Sequence, residues 1–339
     1  MWLLVFWGLV APCCAQPESL DSEIISWWSF DSDSENSVQD RIQQKNDSVY
    51  GNTEFVPGVS GRAIKLDGFR SYVKRDRNSV NPAGAFTVES WVALASYPWS
   101  WAPVMDCSHK RKRGFFFGIG PEGQVKFKIA AGSIWHEATT LEQIPLRKWN
   151  HVAAVYEPND KITVFVNGEK AASTPIRGNF IPAPGWRGGS LTIGRNNYSQ
   201  TWNEYQLTTE DAYFFLDGIL DEIKVSGKAK TKEQLKKEIS NFDDLPAPAL
   251  SDRDQLPAGP EGSGSFGAFY TKLDYYKEWD DMWRVSDVPD VYVRFADSPV
   301  QFVFWRGTSF VPCWVNDKGI WYTNEWLETW GSDVVSCSE

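Results

Sequence analysis

The loop at residues 96–114 combines flat aromatic rings with a run of basic side chains, in the sequence SYPWSWAPVMDCSHKRKRG. Its rings and three of its bases are Trp99, Trp101, Lys110, Arg111 and Arg113. Indole rings offer apolar faces to the C–H side of a sugar, and basic groups pair with sulfate or carboxylate. The loop therefore predicts a surface for an acidic polysaccharide. The alternative is a hairpin turn whose charges face water and whose tryptophans pack beneath it.

Two other segments place aromatic and amide side chains where a ligand would meet them. GSIWHEATT predicts a hairpin tip or strand edge, and residues 196–213 form a long polar loop. Long loops at one end of a scaffold often carry binding residues. The candidates in these two segments are Trp135, Trp202, Asn203 and Tyr205. The alternative is that the long loop covers the linker or a neighbouring domain.

Asp31, Asp33 and Glu35 alternate along the chain, which suggests ligands for a hard cation. The EF-hand arrangement fails, because Asn36 stands where that loop needs glycine and Ile42 where it needs a bidentate glutamate. The segment therefore predicts either a cation site of another kind or a solvated acidic loop.

The spacing of the histidines and carboxylates does not match any known catalytic arrangement. Its three histidines, His109, His136 and His151, form no Ser/His/Asp order and no i,i+4 pair. His151 lies in the apolar strand HVAAVY and is predicted to be a packed core residue. Glycosidases need two carboxylates, but no spacing singles out a pair among those near the C-terminus. The sequence therefore favours a binding role over catalysis.

The net charge and the N-terminal sequence indicate which ligands and which cellular location to expect. The net charge of −10 argues against general nucleic-acid binding, which needs a basic surface. Residues 1–15, MWLLVFWGLVAPCCA, resemble a secretory signal peptide cleaved after Ala15, although its usual positive start is missing. No later segment has the ~18 apolar residues that a membrane helix needs. We therefore expect a secreted, extracellular protein without a transmembrane segment.

Export permits disulfides and glycosylation. After removal of the signal, three cysteines remain. Cys313 and Cys337 share the C-terminal region and are predicted to pair, which leaves Cys107 over. The alternative is three buried free thiols. Asn46 and Asn197 begin Asn-X-Ser sequons and are the predicted glycan acceptors.

Alternating patterns dominate residues 24–226 and predict strands. In GQVKFKIAAG the apolar residues and the lysines alternate with a period of two. Residues 149–173 predict a three-strand meander with a turn at Asn167-Gly168. A capping box that begins at Thr231 opens the one clear helix. These features predict an all-β fold, a two-sheet antiparallel jelly-roll sandwich with one short C-terminal helix.

Composition divides the chain into four parts. A stretch rich in Pro, Gly and Ser predicts a linker between the sandwich and a second, tryptophan-rich β module. That module is either a small sheet docked on the sandwich or the incomplete beginning of a larger unit. The predicted parts are a signal peptide at 1–15, the sandwich at 16–243, the linker at 244–265 and the tryptophan-rich module at 266–339.

Six blocks, in order, carry a family signature. They are IISWWSFDSDS, GVSGRAIKLDGFRSYVKR, GAFTVESWVAL, IPLRKWNHVAAVYEPNDKITVFVNGEKAAS, GSLTIGR and DGILDEIKVSGKAKTKEQL. Over about residues 20–240 the chain resembles a laminin-G-like, concanavalin A-like lectin/glucanase jelly roll. The resemblance implies that the first and last strands pair and bring Asp31 near Asp221, as ligands of a structural calcium ion. VFWRGTSFVPCWV, in the second module, resembles the start of a β-propeller.

The expected function is carbohydrate binding by a secreted jelly roll within a polysaccharide-recognising or polysaccharide-degrading system. Its partner would be a polysaccharide or glycoconjugate, in particular an anionic one. This fold serves as binding module, spacer and enzyme alike, so two alternatives stay open. The chain is otherwise the non-catalytic N-terminal part of a polysaccharide lyase or glycoside hydrolase, or an extracellular adhesion module that binds a protein.

Overall fold

The computed structural model describes most of the sandwich and isolated strands of the C-terminal region. Described residues are 23–31, 36–51, 53–68, 71–95, 97–98, 101–109, 111–120, 122–185, 189–197, 200–201, 211–212, 214–242 and 245–250. Beyond residue 250 the description is limited to the backbone of seven strands.

The elements of the first 250 residues are short strands and one helix. In chain order they are β1 Ile24–Trp28, β2 Ser37–Asp40, β3 Lys45–Tyr50, β4 Glu54–Pro57, β5 Arg62–Asp67, β6 Tyr72–Arg75, β7 Phe86–Leu94, β8 Ala102–Asp106, β9 Phe115–Ile119, β10 Val125–Ala131, β11 Ile134–Thr139, β12 Asn150–Glu157, β13 Lys161–Val166, β14 Glu169–Pro175, β15 Leu191–Ile193, β16 Gln200–Thr201, β17 Asp211–Ala212, β18 Asp217–Ser226 and α1 Lys232–Ile239.

Two antiparallel sheets form the sandwich, as the alternating patterns predict. The first sheet has the order β14-β13-β12-β7-β18-β5-β4, and β1 also pairs with β18. The second sheet has the order β11-β10-β9-β8-β15-β6-β3-β2. The meander β12-β13-β14 is confirmed, and its turn has positive φ at Asn167 and Gly168.

The core lies between the two sheets and is rich in aromatic rings. Phe86 of the first sheet meets Phe115 and Phe127 of the second at ring distances of 5.6 and 6.1 Å. The predicted alternation in β10 is confirmed, because its apolar residues are buried and its lysines face outward. Burial of these large rings stabilises the sandwich.

The outer face of the first sheet is covered by α1 and the chain that follows it. The predicted capping box is present, with Thr231 as the N-cap. Leu235 of α1 is buried against β12 and β13, and Phe242, Leu245 and Leu250 pack over Trp91 and Trp149. The Trp149 Nε1 atom donates to the Pro246 carbonyl at 3.0 Å. The start of the predicted linker therefore lies against the sheet.

The C-terminal strands pair in sequence order as an antiparallel meander. They are β19 Ser263–Phe266, β20 Tyr270–Tyr276, β21 Met282–Val285, β22 Tyr292–Phe295, β23 Phe302–Trp305, β24 Phe310–Val315 and β25 Trp321–Tyr322. Cys313 is on β24, and Cys337 lies outside the described residues. The propeller resemblance and the disulfide therefore stay predictions. Among the described residues, no helix has the length and apolar character to span a bilayer.

Candidate functional site

A row of side chains crosses the outer face of the second sheet. Register pairs its members in turn from β3 to β11: Ser48, Lys74, Thr192, Asp106, Phe116, Lys128 and Glu137. Directly opposed residues point to the same side of a sheet. The neighbouring residues Val73, Ile193 and Phe127 are in the core, so the row faces outward.

Two lysines on β10 each lie against a tryptophan. The Lys126 ammonium is 3.8 Å from the centroid of the Trp101 ring, and the Lys128 ammonium is 5.1 Å from that of Trp135. Residues two apart on a strand lie about 7 Å apart on one face. Phe116 stands opposite Lys128 on β9. We call these five half-buried residues the lysine–tryptophan patch.

The charge of the patch is partly dehydrated. Burial lowers the pKa of Lys126, Glu137 opposes that effect and the nearby Lys128 adds to it. The Lys126 ammonium lies 3.5 Å from a Glu137 oxygen, whose side chain is largely exposed. A cation in such a setting attracts anions more strongly than a fully hydrated one.

A glycine sets the position of Trp101. An added Cβ at Gly120 would lie 2.7 Å from the Trp101 ring, so the indole occupies the space that a side chain would take. Across the sheet from Lys126, Gly118 likewise carries no side chain. An added Cβ at Gly118 would lie 2.6 Å from the Phe116 ring, so the two glycines allow the Trp101 and Phe116 rings to lie against the sheet.

Asp106, in the middle of the row, fastens a loop to the sheet. One of its oxygens accepts from the Ser108 N–H at 2.7 Å and the other from the Asn197 N–H at 2.7 Å. Burial raises the pKa of Asp106, and these two hydrogen bonds oppose the rise. The carboxylate thus holds residues 195–197 against the centre of the face.

The two sequon asparagines have different surroundings. Asn46 is exposed on β3. Asn197 is 8% exposed, and its Nδ2 donates to the carbonyls of Ser108 and Ser190 at 3.1 and 2.7 Å. A glycan on Nδ2 would remove one of these hydrogens, so the folded arrangement favours Asn46 over Asn197 as an acceptor.

The basic part of the 96–114 loop is the hairpin between β8 and β9. Arg111 and Arg113 are exposed there, and the backbone of Arg113 bridges to His109. Burial lowers the pKa of His109, and the charges of Arg111 and Arg113 lower it further. The predicted ligand residues Trp99, Lys110, Trp202, Asn203 and Tyr205 lie outside the described residues.

The predicted calcium ligands lie on two sides of the loop at 58–61. Asp221 accepts from the N–H groups of Val59 and Ser60 at 2.8 and 3.2 Å. Asp31 accepts from the Arg62 N–H at 3.1 Å and contacts Arg41 at 3.4 Å.

Both ends of this loop are glycines for a steric reason. An added Cβ on Gly58 would lie 2.3 Å from an Asp221 oxygen, and one on Gly61 would lie 2.0 Å from an Asp31 oxygen. The loop therefore fits closely between the two carboxylates.

Asp221 and Glu222 are adjacent buried carboxyl groups. Asp221 is fully buried, and burial together with the adjacent Glu222 raises its pKa to about 8. The pKa of Glu222 is also raised, first by burial, and Asp31 contributes. A carboxyl with so high a pKa is mostly protonated at neutral pH, so a cation that binds to Asp221 must displace its proton. Within the described part of the chain, no group of three or more His, Cys, Asp or Glu side chains converges on one point.

Sequence reasoning missed several residues that the sheet brings together. The alternation in β10 predicts a strand without marking Lys126 and Lys128 as ligand residues, and no motif marks Phe116. The alternation in β10 is the signal that could have identified the lysines. It places both of them on the outer face of the sheet, the face on which Trp135 of the neighbouring strand β11 also lies.

No curated protein matches this chain. Domain 4 of AbnA, a GH43 extracellular arabinanase from Geobacillus stearothermophilus in complex with arabinotriose, is 17% identical, with 63% of this chain and 97% of that chain covered and a TM-score of 0.49. The binding domain of botulinum neurotoxin DC in complex with SialylT is 14% identical, with 66% and 52% covered and a TM-score of 0.47.

A third solved structure is the sialidase of Trypanosoma rangeli in complex with 2,3-difluorosialic acid. It is 14% identical, with 66% of this chain and 34% of that chain covered and a TM-score of 0.47. A family profile matches residues 67–236, which is about half of the chain and runs from the end of β5 into α1. The chain belongs to the concanavalin A-like lectin/glucanases superfamily.

Proposed function

We propose that this protein binds carbohydrate through the lysine–tryptophan patch. The observation that carries the proposal is the contrast between the two outer faces of the sandwich. The first sheet is covered by α1 and residues 242–250, with Trp91 and Trp149 sealed beneath them. The second sheet instead presents half-buried rings and lysines in one place.

The chemistry of the patch suits an acidic glycan. An ammonium held against an indole is oriented by the ring, and its remaining N–H donors can meet a carboxylate or sulfate. Phe116 and the exposed parts of the indoles provide apolar surface for the C–H side of the sugar. The exposed bases Arg111 and Arg113 add positive charge at the end of the same strands.

We expect this role to be extracellular. The N-terminal signal-like segment and the sequons support export, and a carbohydrate-binding jelly roll would then serve a polysaccharide-recognising or polysaccharide-degrading system. The patch itself offers cations and rings rather than an acid–base pair. An assay for released reducing ends therefore tests whether a catalytic unit accompanies it.

Replacing Trp101 or Lys128 with alanine should reduce binding of an acidic oligosaccharide about tenfold, or ~1.4 kcal/mol. The reason is the loss of a stacking surface or of a charge-assisted contact. An array that includes uronate, sulfated and sialylated glycans identifies the ligand, and calorimetry on the full chain measures the affinity.

Lys161→Ala is the matched control, since Lys161 is a surface lysine on β13 of the other sheet. Unchanged affinity in the Trp101 and Lys128 variants would contradict the patch. Binding of a protein partner with no response to any glycan would favour the adhesion alternative. Release of reducing ends would add an enzyme activity.

We also propose that Asp31 and Asp221 hold a structural calcium ion. Millimolar calcium should raise the melting temperature of the wild type by several degrees, because a ligand that binds only the folded state stabilises it. Asp31→Asn should abolish most of that shift, since the amide keeps an oxygen for the Arg62 N–H but loses the charge. Asp76→Asn, at an exposed site, is the control. An equal shift in both variants, or none in the wild type, would contradict the site.

A further inference from the structure

A second aromatic group lies at the other end of the second sheet's outer face. Tyr50 and Tyr72 are register partners on β3 and β6, and their rings stack at 4.7 Å with an interplanar angle of 6°. The Arg195 guanidinium lies over the Tyr72 ring at 3.8 Å. Arg195, Tyr72 and Tyr50 therefore form a layered stack in which Tyr50 is the last layer.

The stack ends at a ring that is open to solvent. Tyr50 is 40% exposed, one of three large apolar side chains that are exposed among the described residues. Among the described residues, the pairing of β2 with β3 extends from Asp40–Lys45 to Ser37–Ser48, and the Val49 N–H then donates to the Asn36 carbonyl at 3.1 Å, one residue before Tyr50. A further ring can therefore continue the stack on the tyrosine.

At the exposed end of the stack, where Tyr72 separates Tyr50 from Arg195, the neighbouring charges are paired. Lys74 and Asp76 follow Tyr72 on the same side of β6 and form an ion pair at 2.8 Å, with the Asp76 side chain 78% exposed. This pair offers both donors and acceptors, which suits the hydroxyl groups of an uncharged sugar. The setting differs from the lysine–tryptophan patch, where two lysines lie beside one carboxylate, Glu137.

The two aromatic groups are separate sites. Four strand spacings separate β10 from β6, which is about 19 Å. Asn197 lies between them and is held to the sheet by the bond from its N–H to Asp106. A single sugar unit cannot contact both groups.

We propose that Tyr50, backed by Tyr72 and flanked by Lys74 and Asp76, is a second subsite that stacks an uncharged sugar ring. The inference rests on the proposed function, in which this face binds carbohydrate. Two subsites on one rigid sheet raise the affinity for a polymer or branched glycan above that of either alone, because the second contact becomes intramolecular.

The test uses the full chain and a panel of neutral oligosaccharides, namely cello-, xylo-, laminari- and arabino-oligosaccharides. At least one should bind, as followed by calorimetry and by amide shifts of residues on β3 and β6. Tyr50→Ala should weaken that binding about tenfold, whereas Tyr50→Phe keeps the ring and should retain it. Ile134→Ala, at another exposed apolar position, is the control for folding and for nonspecific effects.

The outcomes separate this subsite from the patch. Binding of a neutral sugar that Tyr50→Ala weakens and Trp101→Ala leaves unchanged supports the subsite. If no panel member binds, or if Tyr50→Ala and wild type bind equally, the subsite is overturned. Acidic oligosaccharides that depend on Trp101 and Lys128 would still support the patch in that case. Tyr50-dependent binding without any response to acidic glycans would overturn the patch instead.

Discussion

Arg75→Met is expected to lower the free energy of unfolding by about 3–5 kcal/mol, because it leaves buried carboxylates without their cation. The guanidinium donates from Nε to Asp47 at 2.7 Å and from Nη2 to Asp40 at 3.1 Å. All three side chains are almost fully buried. The Trp28 indole N–H also donates to Asp47 at 2.7 Å, so the network joins β1, β2, β3 and β6.

Urea unfolding of the full chain measures this change. Lys74→Met, at the neighbouring position on β6, is the matched control. Its partner Asp76 is exposed, and an exposed ion pair contributes about 0–1 kcal/mol. A similar loss in both variants would show that strand β6 tolerates no substitution there. A loss below 1 kcal/mol in Arg75→Met would contradict the role of the network.

The network also bears on the second subsite. It fixes the β2–β3 hairpin to β6, and the far end of β3 carries Tyr50. A variant that loosens the hairpin should therefore lose the tyrosine stack while the lysine–tryptophan patch, four and more strands away, keeps its ligand.

Local patterns predict the elements well. In β10 the alternation of valine, phenylalanine and isoleucine with lysine fixes which side faces the core. The side chain of Thr231 identifies the start of α1, and Asn167-Gly168 identifies a hairpin. Each of these signals depends on residues that are close in sequence, so tertiary contacts do not obscure it.

Strand β7 is an example in which the local sequence pattern does not predict which residues are buried. Its sequence alternates apolar residues with Thr87, Glu89 and Trp91, yet every residue of the strand is buried. The reason is tertiary. The helix and residues 242–250, which come over 140 positions later, cover the face that the alternation assigns to solvent.

The candidate site depends on long-range register for the same reason. Trp101 and Trp135 come from separate segments and meet β10 only because β8, β9 and β11 align beside it. The proximity of Asp31 and Asp221 followed from family resemblance, whereas the raised pKa of Asp221 follows from burial that no local pattern reveals.

Glu89→Gln is expected to destabilise the protein by about 3 kcal/mol at neutral pH, because it breaks a buried charge cluster under α1. Glu89 pairs with Lys230, which also contacts Glu238 of α1 at 2.6 Å, and His151 lies 3.5 Å from Glu89. Burial alone would raise the pKa of Glu89, but His151 and Lys230 outweigh it and hold the pKa at about 2.

The pH dependence separates this charge effect from simple packing. The pKa of Glu89 is depressed from its ordinary 4.5, so its contribution is present above about pH 4.5 and is lost as pH falls towards 2. The stability difference between wild type and Glu89→Gln should shrink over that window. Hydrogen exchange of α1 should rise first, since the cluster fastens the helix to β7. Lys237→Met, exposed on the same helix, is the control. If the stability difference between wild type and Glu89→Gln stays constant from pH 5 down to pH 2, the destabilisation arises from altered packing and not from the lost charge.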